Sequence, residues 1–306
     1  MNIRFNRSMP CKGRSFVLCV SVSLSIVYCL LSITSTSGQE KVKLEYRLSK
    51  GDISKYKMIL NNNVEAKGIV NTKAERTITE QIASIDYTQE VKNITLDGIM
   101  EIAGTFTSFN LSMKKNEKEE RVLQEIIKNF TGKNFSFGLT KKGGVVDLIA
   151  PQDVHGIPFT TDLLIIIFEQ LQPRLPEKEI SIGDTWSSSL EISAPRPAEG
   201  KIFGNFNYTL EGIEKVGKTS CAAIPFWSTL TSSLTAKRGD TTVEMNIIGS
   251  IEGKTYISIA DGKLVKTDEN LTLNIITGTT SAAGGKTETT YLQTIIKTDI
   301  NGELQQ

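Results

Sequence analysis

The chain has 306 residues, 39% of them hydrophobic, with 35 basic and 34 acidic side chains and one histidine. That length accommodates one large β domain or two smaller ones. The near-neutral charge gives no electrostatic case for nucleic acid or for an anionic membrane surface.

Residues 1–38 read as an export signal. Arg4, Arg7, Lys12 and Arg14 form a basic start, Phe16 to Ile33 is an apolar run, and Ser35 to Gly38 offers small residues for cleavage. The alternative is that 16–33 stays as an N-terminal membrane anchor; the embedded serines favour removal. Tyr28 before Cys29 argues against a lipid-modified cysteine. Removal of the four basic residues leaves 31 basic against 34 acidic side chains, a net charge near −3. Cys11, Cys19 and Cys29 leave with the signal, so Cys221 stands alone and no intrachain disulfide forms. An exported domain of this kind, periplasmic or extracellular, must be held by its core.

From Val42 the pattern has period two. Val42, Leu44, Tyr46 and Leu48 alternate with charged residues, as in a strand with one wet face. Further short strands follow around Tyr56 to Leu60, Thr77 to Thr79, Tyr87 to Val91, Ile94 to Leu96 and Phe106 to Met113. Glu117 to Phe130 changes period: Leu123, Ile126, Ile127 and Phe130 fall on one face of an amphipathic helix, with Asn116 as its cap. Alternation resumes over Phe135, Phe137 and Leu139, and Lys141 to Gly144 turns the chain into Val145 to Leu148.

The stretch Phe159 to Leu190 breaks the β pattern most strongly. Leu163 to Phe168 is six apolar residues in a row, which periodicity alone assigns to neither helix nor buried strand. Thr160 as cap, Asp162 in the first turn, and Pro173 and Pro176 as stops favour a helix over 161–171; three isoleucines favour a strand. A helix that is apolar nearly all round must be enclosed, either as plain core or as the lining of an apolar cavity. On the second reading Leu164, Ile167 and Phe168, together with Trp186, are the ligand-binding candidates.

Strand patterns return over Phe203 to Leu210, Ala222 to Leu234, Thr242 to Ile251, Thr255 to Ile259, Leu264 to Lys266, Leu271 to Ile276 and Thr290 to Lys297. Asp261-Gly262 marks a tight hairpin, and the glycine-rich Thr277 to Lys286 reads as a long loop. A faint likeness between Gly51-Asp52…Tyr56 and Gly183-Asp184…Trp186 suggests two similar halves joined by 159–182. Strands and turns looking alike produce the same likeness.

Chemical motifs are few. Gly212 to Thr219 satisfies G-x-x-x-x-G-K-[ST], yet Pro225 stands where the helix of a phosphate-binding loop should continue, so a turn between two strands is expected and no nucleotide. His155 beside Asp153 lacks the further ligands a zinc site needs. No G-x-S-x-G appears, and no spacing selects a carboxylate pair. No catalytic residue, metal ligand or cofactor is therefore assigned. Six Asn-x-Ser/Thr triplets, at Asn93, Asn110, Asn129, Asn134, Asn207 and Asn270, suit a secretory route as glycan acceptors or follow from Asn- and Thr-rich β composition.

The export signal, the alternating strands, the segment from Leu175-Pro176 to Gly183-Asp184-x-Trp186, the run Gly217 to Ile224 and the Asp261 to Leu264 hairpin together resemble an uncharacterised (domain-of-unknown-function) family of exported bacterial β-rich proteins. These are similar in outline to the half-barrel cups of periplasmic lipoprotein carriers, where helices lid a curved antiparallel sheet over an apolar pocket. The resemblance implies no functional residue. The expectation is thus a mainly β fold with minor α content: a strongly curved antiparallel sheet or half-barrel over 39–306, with one or two helices packed in or on it. The expected function is non-enzymatic, binding an apolar small molecule, a lipid or a lipidated partner in the cup. The alternatives are an envelope or extracellular interaction module with a solid core, or a carboxylate-based hydrolase.

Overall fold

Alternation at period two runs far longer in three dimensions than in any one sequence window. A computed structural model describes residues 41–70, 73–119, 130–149, 151, 172–193, 198–283 and 286–305. Its elements are β1 (Ile53–Val70), β2 (Lys73–Ile94), β3 (Met100–Lys115), β4 (Lys118–Glu119), β5 (Asn134–Leu139), β6 (Val145–Ile149), β7 (Thr185–Ser193), β8 (Ala198–Thr209), β9 (Gly212–Val216), β10 (Thr219–Arg238), β11 (Thr241–Ser258), β12 (Leu264–Ala283) and β13 (Lys286–Gln305). β2 alone has 22 residues, which at about 3.3 Å per residue spans roughly 70 Å.

All thirteen strands belong to one sheet in which every pairing is antiparallel. Its main order is β6-β5-β3-β2-β1-β13-β12-β11-β10-β8-β7. The chain starts in the middle at β1 and meanders out to the edge at β6. It then crosses to the opposite edge at β7 and meanders back until β13 pairs with β1, Lys55 lying opposite Gln305.

Three expectations fail here. Every element among the described residues is a strand, so no described helix packs in or on the sheet. The sheet is open, with edges at β6 and β7, and is not a strongly curved half-barrel. Strong curling needs bulges, and the long β1–β2, β1–β13, β10–β11 and β12–β13 ladders run without a register shift. The helix expected from Glu117 does not begin there. Asn116 and Glu117 take positive φ (48° and 68°) and turn β3 into β4, while the Asn116 carboxamide oxygen accepts from Ile78 N at 2.9 Å. A two-residue turn with both residues left-handed suits Asn, and it used the residue read as a helix cap. Residues 120–129 and the helix expected over 161–171 lie outside the described residues.

The glycine-rich loop at 277–286 is also overturned. β12 and β13 stay paired as far as Ala283 opposite Lys286. Threonines pair across the ladder there, with the Thr280 and Thr289 hydroxyls 3.2 Å apart, and the Tyr291 ring packs over Gly278.

The core sits at one end of the sheet, where two irregular segments cross it. Residues 42–48 alternate as expected but form a single β-bridge, Val42 to Ile180. Leu44 and Tyr46 face inward, and the backbone is tied sideways: Tyr46 N donates to Lys141 O at 3.0 Å and Arg47 N to Asp261 O at 2.9 Å. Residues 172–184 form the second cross-piece, with Leu175 N donating to Lys142 O at 2.9 Å. Beneath them Tyr56, Tyr87, Phe106, Phe135, Phe137, Phe206, Tyr208 and Phe226 make a buried aromatic layer. Gly104 is part of this packing, because the Phe135 ring occupies the space its side chain would fill.

Candidate functional site

Strand alternation gives the sheet one apolar face and one mainly polar face, the latter also exposing Phe203, Trp227, Ile248 and Ile276. On the apolar face, two lateral rows lie beyond the core. The first carries Val64, Ile296, Leu273, Leu230 and Leu190, in register across β1, β13, β12, β10 and β7. Gly249 and Gly204 complete that row, and the Leu273 and Leu230 side chains fill the space above them. The second row holds Ala66, Ile275, Ile247, Ile202 and Ile192, interrupted by Thr294 on β13 and Ser232 on β10. Leu230 and Ser232 are buried; the other side chains are half-buried. Every extensive contact between described elements is with a hydrogen-bonded neighbour. Over these rows, therefore, no described element forms a second layer.

A carboxylate sits where the apolar rows meet the core. Glu269 lies on the apolar face of β12, opposite Ile300 on β13 and Gly253 on β11, and is 2% exposed. The Thr267 hydroxyl donates to its Oε1 at 2.8 Å, and the Thr255 hydroxyl lies 2.9 Å from that of Thr267. Among the described residues its Oε2 has no hydrogen-bond partner. Burial pushes its pKa up to about 7, with the Thr267 hydrogen bond opposing. Burial likewise raises the pKa of the Tyr46, Tyr56, Tyr87 and Tyr208 phenols, so the aromatic layer stays neutral.

Leu164, Ile167 and Phe168 lie outside the described residues. Trp186 is half-buried on edge strand β7, stacks on Tyr208 at 5.4 Å and donates its indole N–H to Arg174 O at 2.7 Å. It joins the aromatic layer to the second cross-piece. Gly212 to Thr219 forms the β9–β10 hairpin, turning at Gly217 (φ 60°). Cys221 is fully buried, and burial pushes its thiol pKa up, away from the thiolate a nucleophile needs. Sequence reasoning missed Glu269, although a signal was present. Val265, Thr267, Leu271, Leu273 and Ile275 occupy alternate positions, and Glu269 is the charged residue in that series.

No family model matches the chain, and no curated protein matches it. Among solved structures it is similar to one titled as lipid–protein interactions in lipovitellin, with a TM-score of 0.47 and 8% identity. That match covers 84% of this chain and 25% of the lipovitellin chain, so the chain spans about a quarter of that structure.

Proposed function

We propose that this is an exported, non-enzymatic binding protein that takes an apolar ligand, a lipid or a lipid-linked partner, on the apolar face of its sheet. The observation that carries the reading is the pair of rows, mostly aliphatic, running from β1 across to β7. Soluble proteins seldom leave apolar surface of this extent without a use for it. Residues 1–38 serve in this reading as the leader that delivers the chain.

Native mass spectrometry of protein purified gently from its own host tests the proposal. The expected result is a stoichiometric apolar adduct, recoverable in organic solvent and lost in Ile275→Asp with the circular dichroism unchanged. A clean unliganded mass under all conditions sinks it.

A further inference from the structure

The two edges of the sheet are not equivalent. β6 is blunted: it has five residues, Asp147 takes a positive φ of 50°, and its pairing with β5 is broken by a register shift. Such irregularities keep an edge from recruiting another strand. β7 is nine residues long and pairs with β8 through all of them without a shift. Leu210 N donates to Asp184 O at 3.0 Å just before β7 begins. Since an antiparallel ladder alternates its bonding direction, Trp186, Ser188 and Leu190 then bond toward β8. Thr185, Ser187, Ser189 and Glu191 turn their N–H and C=O groups to the free side.

Beside that free side runs a groove of about 880 Å³, within the ~300–1,000 Å³ usual for ligand sites. Thr185, Trp186 and Ser187 line one wall, and Lys142, Arg174 and Glu177 belong to the other. Lys142 is committed, donating to Pro176 O at 2.7 Å and pairing with Glu45 at 3.4 Å. Arg174 is different. Its backbone carbonyl receives the Trp186 indole and its guanidinium reaches over Gly144. Among the described residues that guanidinium has no hydrogen-bond or ion-pair partner.

We propose that this groove binds an extended peptide that adds to β7 as an antiparallel strand, with its C-terminal carboxylate on Arg174. Polarity supports the assignment. β7 runs away from Arg174, so an antiparallel partner runs toward it and brings its last residue to the guanidinium. The fork of that side chain matches a carboxylate with two parallel hydrogen bonds. Main-chain bonds to alternate β7 residues supply affinity, and the carboxylate fixes register. The site lies at the edge of the sheet, apart from the aliphatic rows.

Isothermal titration of the full protein with an N-acetylated hexapeptide of alternating threonine and valine, as free acid and as C-terminal amide, tests this. The expected result is saturable one-to-one binding of the acid, with the amide weaker by at least about tenfold, or roughly 1.4 kcal/mol. Arg174→Met should weaken the acid to the level of the amide and leave the amide unchanged. Ser187→Pro, which removes an outward N–H, should abolish both. Ile275→Asp, which disables the proposed apolar face, should change neither titration. Equal affinity for acid and amide, no saturable binding of either, or acetate binding as tightly as the peptide overturns the proposal. The acid–amide comparison needs no variant, so misfolding of a mutant cannot obscure it.

Discussion

Glu269 makes the stability of the fold depend on pH. Its folded-state pKa of about 7 stands above the ordinary value of 4.5, so folding favours its protonated form. That contribution is complete below about pH 4.5 and drains away as pH rises to about 7, where the folded carboxyl also ionises. The raised pKa corresponds to roughly 3 kcal/mol over this window, at about 1.4 kcal/mol per unit. Glu269→Gln removes the dependence. Urea midpoints of variant and native protein should nearly coincide at pH 4 and diverge progressively to pH 7, the variant being the more stable, with a constant gap above. A gap that does not change with pH would show that the carboxyl is not held protonated. Gly262 gives a second test at this scale. Its φ is +72°, and a side chain there would collide with the carbonyl of Glu45 on the first cross-piece. Gly262→Ala should cost about 2 kcal/mol or more through strain and lost docking, measured by thermal unfolding.

At the scale of elements, the cross-pieces show what alternation does and does not specify. Residues 42–48 present Leu44 and Tyr46 inward on schedule, yet they lie across turns, because Lys141 and Asp261 supply the backbone partners. Period two records which side chains are buried; it does not say that a ladder is the cover. The same limit explains the misreading of Asn116, whose preference for helix caps and for left-handed turns is one chemical fact. Trp186 was legible as an aromatic of interest, but its use was not. It stacks on Tyr208 of β8 and fastens β7 to residues 172–176 by its bond to Arg174 O. Trp186→Phe keeps the stack and loses the hydrogen bond, so it should cost about 1 kcal/mol. Trp186→Ala should cost about 3 kcal/mol or more. Chemical denaturation of the two variants separates these contributions.

At the scale of the molecule, the first and last strands pair in the middle of the sheet, fourteen residue pairs joining β1 to β13. Among the described strands that seam is the most non-local pairing, and loop-closure entropy makes such contacts slow to form. Deleting residues 286–306 would expose β1 and β12 as two long edges. The shortened protein should aggregate, whereas the intact one stays in solution; sedimentation after expression reads the difference. N-terminal sequencing of the mature protein addresses the proposed leader, with a start after Gly38 expected.

Much of this was present in the residues alone. The β class, the inward side of Leu44 and Tyr46 and the turn inside the phosphate-loop look-alike at Gly212 to Thr219 followed from alternation and turn chemistry, which are local; Asp261-Gly262 does turn the chain, but within a five-residue connection from Ser258 to Leu264 and not as the tight hairpin expected. The length of the strands did not follow in this way, because sequence windows broke β2 between Thr79 and Tyr87 and β12 at its threonines and glycines, where cross-strand partners carry the ladder through. The exceptional Glu269 was visible as a charge in an apolar series; that its Oε2 lacks a partner among the described residues was not, since this depends on Gly253 and Ile300 from other strands. Only the tertiary structure decided which edge stays open and where Arg174 lies against it. Arg174 meets Trp186 from only twelve residues away, while the seam that leaves β6 and β7 as the edges joins β1 to β13 across the whole domain, and neither propensity nor periodicity encodes which strand completes a sheet.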